Sequence, residues 1–362
     1  IGTFGTINYL GSPVQYYTLS SQLYMNINSR DTQTGFAMAI LMIIIASIAV
    51  FVNQKLIGSR KSYATIGGKG GRSTLIGLGK VGRPVITAAL FVFFAVGIIM
   101  PIVILVMESF MLKEGIYSLD NFTLHYWIGE SNPQIMEGLP GIFKNDEFIN
   151  SLFNSLRLTL VNGVFGTIFG QLLGYITAKG RGRLHGKLVE QLVFIPYLIP
   201  SVAFGGIYLS MFSQPQQIFG VTLVPALYGT FALLTLVSVV KHLPFAARAG
   251  TSNMLQISGE LEEAATIEGA GFFRRFVKIV FPLSKGGFIS GFMLTFISIA
   301  KELDLVIIMM TPSTQTMSYL AFTYSQEGYN QMSDAVSVCV LVFILVCYTV
   351  ANRFGADLNK SM

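Results

Sequence analysis

Along most of the chain hydrophobic residues come in long runs, and polar residues gather in the stretches between them. Several runs reach roughly 18 or more apolar residues, enough for a helix to cross the hydrocarbon core of a bilayer. Seven spans are predicted, at about Phe36–Val52, Pro84–Met107, Leu152–Ala178, Leu188–Phe212, Pro225–Val240, Gly286–Met310 and Ala335–Val350. The third carries Gly166, Gly170 and Gly174 at four-residue spacing, with Gly163 one turn earlier. Glycines so spaced let two helices approach closely, so tight packing is expected there in preference to a substrate groove. The fourth contains Pro196 and Pro200, which free backbone carbonyls and kink a helix or line a pathway. The expected fold class is all-α, a polytopic transmembrane helical bundle of about seven spans.

The polar stretches orient these spans. From Lys55 to Arg83 there are seven basic residues, no acidic one and many glycines, which reads as a flexible cytoplasmic linker. Residues 108–150 carry Glu108, Glu114, Asp120, Glu130, Glu137, Asp146 and Glu147 against Lys113 and Lys144, with Tyr126 and Trp127, and read as an outer loop. Lys179, Arg181, Arg183 and Lys187 return the chain to the cytoplasm, and Lys241 is expected to mark the inner end of the fifth span. Residues 311–333 fall outside, and Arg353 with the tail 354–362 inside.

One cytoplasmic stretch stands out, GELEEAATIEGAGFFRRFVKIVFPL from Gly259 to Leu283. Leu261, Ala264, Ala265 and Ile267 form one small apolar helical face, and Phe272, Phe273, Phe276, Ile279 and Val280 a bulkier one. Gly269 and Gly271 lie between them, where a helix can end and turn. The pattern predicts helix, turn, helix: an elbow placed to touch a soluble partner. The competing reading is an amphipathic helix lying on lipid. Glu260, Glu262, Glu263 and Glu268 would face an anionic inner leaflet badly, which favours docking.

Composition agrees with the spans. Of 362 residues 52% are hydrophobic and 12% charged, about half the charge of a soluble domain. The net charge of +6 is therefore read as topology, with no nucleic acid partner. Cys339 and Cys347 sit in an apolar run and read as buried small hydrophobes. His125, His185 and His242 are scattered, so no metal site is expected. Gly77, Gly79 and Gly82 fit GxGxxG, but a membrane span follows at once instead of a βαβ unit. Lys301, Glu302 and Asp304 lie in the outer part of the sixth span, where charges are expensive. They read either as a pathway or gate, or as a Lys301–Glu302 neighbourhood paired near the interface with Lys301 snorkelling.

Thr18-Leu19-Ser20, a polar stretch and the span from Phe36 echo Thr316-Met317-Ser318, a polar stretch and the span from Ala335. This leads us to expect two tandem copies of one membrane unit. Residues 1–57 would end the first, 58–83 link them, and 84–353 form a complete six-span second copy with the elbow in 242–285. The chain opens mid-pattern on Ile1, so the native chain is expected to start upstream.

Glu263-Ala264-Ala265, Gly269, Ile279 and Pro282 at their spacing resemble the EAA signature of permease subunits of ATP-binding-cassette importers. The resemblance covers essentially all of 84–353. A narrower likeness, through Phe4-Gly5-Thr6, Tyr17-Thr18-Leu19, Lys301-Glu302-Leu303 and Glu327-Gly328-Tyr329, is to the fused double-length permeases of the ferric-iron group. Permeases for 2-aminoethylphosphonate, polyamines, thiamine or sulfate share much of it.

That resemblance implies a type I importer permease in a bacterial cytoplasmic (inner) membrane, moving a solute, with ferric iron the first expectation. The elbow would be a coupling helix in a groove of an ATP-binding subunit, present in two copies and holding ATP and Mg; no cofactor is expected in this chain. Glu263 would pair with a basic group there, small Ala264 and Ala265 would allow close docking, and Gly269 would permit the turn. An extracytoplasmic solute-binding protein would carry much of the selectivity. A first permease half, fused upstream or supplied as a second chain, would complete the pathway. A membrane enzyme would need convergent nucleophiles, carboxylates or metal ligands, and none is found. A passive channel would have no use for the elbow.

Overall fold

The computed structural model describes residues 4–57, 77–218 and 220–353, and these are mostly helical. Five helices are long and apolar enough to cross a membrane: α3 (Thr32–Ile57), α4 (Gly79–Glu108), α5 (Asp146–Lys179), α8 (Phe231–Met254) and α13 (Asn330–Arg353). Among the described residues two bent pairs of helices pass the same test of length and composition when each pair is taken together. Helices α6 (Leu184–Leu198) and α7 (Ser201–Phe212) meet at 97°, and α10 (Phe272–Leu283) and α11 (Lys285–Ala300) at 78°. Counting each pair once gives seven. Shorter helices are α1 (Gly5–Gly11), α2 (Leu19–Asn28), α9 (Gly259–Ile267) and α12 (Met317–Gln326). Outside the helices there is one antiparallel hairpin, β1 (Gln216–Ile218) with β2 (Val221–Val224).

Helices α5, α8 and α11 form the centre of the bundle. A Cβ on Gly170 would lie 2.4 Å from Ala246 Cβ, and one on Gly174 would lie 2.5 Å from Gly250 of α8. Gly166 faces Thr295 of α11 at 3.2 Å in the same sense. The spaced glycines thus sit where the α5 backbone approaches two neighbours too closely for side chains. Between α4 and α5, residues 109–145 form short turns and 3-10 helices. Trp127 stacks on Phe110 and donates its indole N–H to Ser109 O at 3.2 Å.

Three predicted span limits need correction. The fourth span is broken at Pro200 and not merely kinked. Ile199 takes extended backbone (φ −76°, ψ 130°), the conformation that a following proline imposes. The fifth span does not end before Lys241. Helix α8 runs on to Met254, and Lys241 lies inside it with 6% exposure. The sixth span stops as a helix at Ala300, where the predicted run continued to Met310. Residues 301–310 form irregular turns, and Leu305–Met310 are buried in the largest apolar cluster. Hydrophobicity is the same for a buried turn and a span, so the run alone could not separate them.

The echo near residues 18 and 316 extends through the backbone. A step of 298, from Thr18 to Thr316, carries α2 onto α12 end to end and the start of α3 (Thr32) onto the start of α13 (Asn330). Backbone hydrogen bonds repeat at the same step. Gln22 N–H to Thr18 O (2.9 Å) matches Leu320 N–H to Thr316 O (2.9 Å). Gly35 N–H to Asp31 O (3.1 Å) matches Ser333 N–H to Tyr329 O (3.0 Å). Even the left-handed residue recurs: Arg30 has φ 67° and Gly328 φ 85°.

Candidate functional site

The elbow is built as its pattern predicts. Ser258 Oγ accepts from Glu260 N–H at 3.3 Å and caps α9, and Glu260 and Glu262 lie in its first turn, where carboxylates suit the helix dipole. The helix ends in a Schellman motif: Ala270 N–H donates to Ala265 O at 2.9 Å and Gly269 N–H to Thr266 O at 3.0 Å. Gly269 takes φ +76°, which a side chain would resist. Helix α10 then leaves in a new direction, carrying Ile279 half-buried and Pro282 exposed. Asn253 Nδ2, at the end of α8, donates to Ser284 O at 3.0 Å, which ties the two roots of the elbow together.

Glu262 decides which face of α9 is free. It is buried, and its Oε1 lies 2.6 Å from Lys179 Nζ. Its Oε2 accepts from Tyr175 O–H at 2.6 Å. Tyr175 in turn packs its ring on Phe272 and Phe276, with centroids 5.7 and 5.8 Å away. Both partners stand on α5, so the elbow is pinned to the inner end of that span. The opposite face has no cover among the described residues. Leu261, Glu263 and Ala264 are exposed, Ala265 is half-buried, and Ile267 and Phe273 are 86% and 81% exposed. Sequence reasoning missed Glu262 as the anchor. The signal was Tyr175 and Lys179, one helical turn apart at the end of a span, facing a segment with a surplus of acids.

The second group lies deep in the bundle and joins residues the sequence left apart. Lys241 Nζ donates to Pro196 O at 2.9 Å and, more closely, to Ile199 O, the carbonyls freed by the break at Pro200. It also stands over the Phe204 ring, 5.3 Å from the centroid. His242, 3% exposed, places Nε2 3.3 Å from Glu302 Oε2, and its Nδ1 is 2.9 Å from Ser238 O. Glu302 Oε1 accepts from Leu305 N–H at 2.9 Å, shaping the turn after α11. Asp304 accepts from Phe4 N–H (2.8 Å) and Gly5 N–H (2.9 Å), clamping the start of α1. Of the three charges grouped on the sequence, Glu302 and Asp304 thus make separate, half-buried contacts. Lys301 is exposed, and the ion-pair partner of Glu302 is His242. The expected Lys301–Glu302 pairing is therefore replaced by a partner from another helix. Among the described residues no group of three or more His, Cys, Asp or Glu is placed to hold a metal ion.

Comparison with known proteins follows the same lines. The family model described as "Binding-protein-dependent transport system inner membrane component" matches residues 170–362, which include the elbow, the break at Pro200 and the buried charges. The trehalose/maltose transport system permease protein MalF of Thermococcus litoralis is 27% identical over 231 residues, covering 58% of this chain and 77% of that protein. The ferric transport system permease protein FbpB of Actinobacillus pleuropneumoniae is 20% identical over 349 residues, covering 94% of this chain and 45% of that protein. Among solved structures, a bacterial alginate ABC transporter in complex with an alginate pentasaccharide-bound periplasmic protein has a similar fold. Its TM-score is 0.58 at 16% identity, over 77% of this chain and 95% of the matched one.

Proposed function

We propose a transport cycle for this chain, which belongs to the family of binding-protein-dependent transport system inner membrane components and is a multi-pass permease subunit of an ABC importer. In the cycle the elbow docks an ATP-binding subunit, whose closure on ATP rocks the spans between inward-open and outward-open states. The observation that carries this is the elbow itself. It is a rigid two-helix corner anchored by Glu262 to Lys179 and Tyr175, with Leu261, Ile267 and Phe273 bare on the side away from the bundle. Exposed apolar side chains on a fixed lever are suited to burial in a partner's groove. Glu263 beside them supplies a charge for a basic group of that partner.

The solute we propose is ferric iron, delivered by an extracytoplasmic binding protein. The support is coverage. The ferric permease relative aligns with 94% of this chain, N-terminal segment included, while the chain spans less than half of that relative's length. The trehalose/maltose relative aligns with 58% and is the competing reading, favoured by its higher identity. The test has two parts. The chain is purified from its native membrane, and an ATPase subunit is expected to come with it, lost on Gly269→Asp or Glu263→Lys. The complex in liposomes, supplied with its binding protein, is then offered 55Fe(III) and 14C-trehalose separately. ATP-dependent uptake of iron alone supports the ferric reading, and uptake of trehalose alone replaces it. Transport by the chain without any ATPase partner would sink the coupling role.

A further inference from the structure

The contact between His242 and Glu302 can be counted in protons. His242 Nδ1 lies 2.9 Å from Ser238 O, and a carbonyl only accepts, so Nδ1 carries a hydrogen. In the neutral ring Nε2 is then a bare lone pair. That lone pair lies 3.3 Å from Glu302 Oε2. Against an ionised carboxylate it would set two acceptors face to face. The other neutral tautomer only moves the fault, setting a bare Nδ1 against Ser238 O. The arrangement is satisfied when the pair holds one further proton, on Nε2 as imidazolium or on Oε2 as carboxylic acid. The second carboxyl oxygen, which accepts from Leu305 N–H at 2.9 Å, suits either form. His242 is 3% exposed, so water cannot stand in for the missing hydrogen bond.

The neighbouring charges do not supply that proton. Glu302 feels Lys241 from α8, and Asp304 of its own turn feels Glu302, so one cation and one carboxylate flank the pair. Both are committed, Lys241 to the carbonyls of Pro196 and Ile199 and Asp304 to the N–H groups of Phe4 and Gly5. Helices α1 and α7 carry no charged residue, and α11 carries only Lys285 at its start. The charges of α5 are Asp146, Glu147, Arg157 and Lys179, and Lys187 and Glu190 of α6 face the end of α8 beside Arg248. Lys301 is exposed. The turn that Glu302 shapes is a joint between three parts. Asp304 clamps the start of α1, Leu305–Met310 are buried in the largest apolar cluster, and a Cβ on Gly205 of α7 would collide with Leu305 O. Residues 301–310 have no continuous helix, so side-chain clamps hold them.

We infer that His242 and Glu302 form a buried proton-binding site, and that the bound proton latches the 301–310 turn to α8. The sign follows from the count. At low pH the pair is loaded and the turn is fixed. As pH rises the proton leaves, imidazole and carboxylate repel, and the joint between α1, α7 and α8 loosens. A permease whose spans must move together then couples less well to its ATPase. The coupling consequence rests on the permease reading above, whereas the proton site does not.

Glu302→Gln is the informative variant, because its amide can donate to a neutral His242 Nε2 while its oxygen still accepts from Leu305 N–H. It is a latch that needs no proton. The full chain in lipid nanodiscs with its co-purified ATPase is followed from about pH 5 to about pH 9, bracketing the free imidazole pKa of about 6.5. The thermal unfolding midpoint of the parent is expected to fall with rising pH relative to Glu302→Gln, by up to about a tenfold change in folding equilibrium per pH unit. ATP turnover of the parent is expected to fall over the same range, and that of Glu302→Gln to hold. Parallel stability profiles would overturn the latch, and parallel turnover profiles would overturn its effect on coupling. A second measurement leaves residue 302 untouched. With His125 and His185 replaced by Gln, nitrogen NMR reads the His242 ring alone. We expect Nε2 hydrogen-bonded at low pH and bare at high pH. A bare Nε2 throughout would overturn the site, and a bonded Nε2 throughout would overturn the switch. If no ATPase accompanies the parent, the transport reading fails instead, while stability and NMR still report on the proton.

Discussion

The chain bends two of its spans, by 97° at Ile199–Pro200 and by 78° at Ser284, and it holds the two bends by different means. The first is held from inside. Lys241 donates to the carbonyls of Pro196 and Ile199, and its neighbour His242 sets Nε2 3.3 Å from Glu302 Oε2. The second is tied by Asn253 to Ser284 O, and the elbow leading into it is anchored on one side only. Glu262 is turned in upon Lys179 and Tyr175, while Ile267 and Phe273 are turned out and are 86% and 81% exposed. A bend with every polar group satisfied within the chain needs no partner and serves as scaffold. A bend with one face fixed and the other bare has its remaining partner elsewhere. Burial of the charged residue separates the two roles better than the presence of charge does, since both bends are charged.

The contrast can be broken at its inner end first. Lys241→Met removes the donor from two buried carbonyls, each worth about 1–3 kcal/mol when left unpaired, so a loss of roughly 3 kcal/mol is expected. Thermal unfolding in detergent measures it, and an unchanged midpoint would show that the ammonium is not what holds the Pro200 bend. Glu262→Gln keeps an acceptor for Tyr175 but gives up the ion pair with Lys179. That lysine is 35% exposed, so water screens the loss and about 1 kcal/mol is expected. Its sharper signature is faster proteolysis within 259–283 than in the parent chain. Ile267→Ser is the smallest change in stability, within about 0.5 kcal/mol because the side chain is already in water. It should nonetheless weaken retention of the ATPase subunit. Retention equal to the parent's would remove Ile267 from the docking face.

Much of this could be read from residues in order. The helix–turn–helix of the elbow followed from the spacing of its apolar residues around Gly269, because capping and turn chemistry are local. The faint likeness of Thr18–Ser20 to Thr316–Ser318 pointed to a repeat that the backbone hydrogen bonds then extended from α2/α12 to the start of α3/α13. The misreadings share a cause. On the sequence Lys241 reads as the inner end of a span because a lysine in an apolar run normally seeks the membrane surface. Nothing nearby in sequence announces the freed carbonyls more than forty residues away. Glu302 was set beside Lys301 because they are adjacent, whereas the fold supplied His242 from another helix.

By itself, then, the sequence determined the helical runs and the local shape of the elbow, since hydrophobic length and turn residues act over a few neighbours. Tertiary structure alone decided which charges are satisfied internally and which face of the elbow is free. Those depend on groups brought within hydrogen-bonding or van der Waals distance by helix packing, and such forces fall away within a few ångströms whatever the separation along the chain.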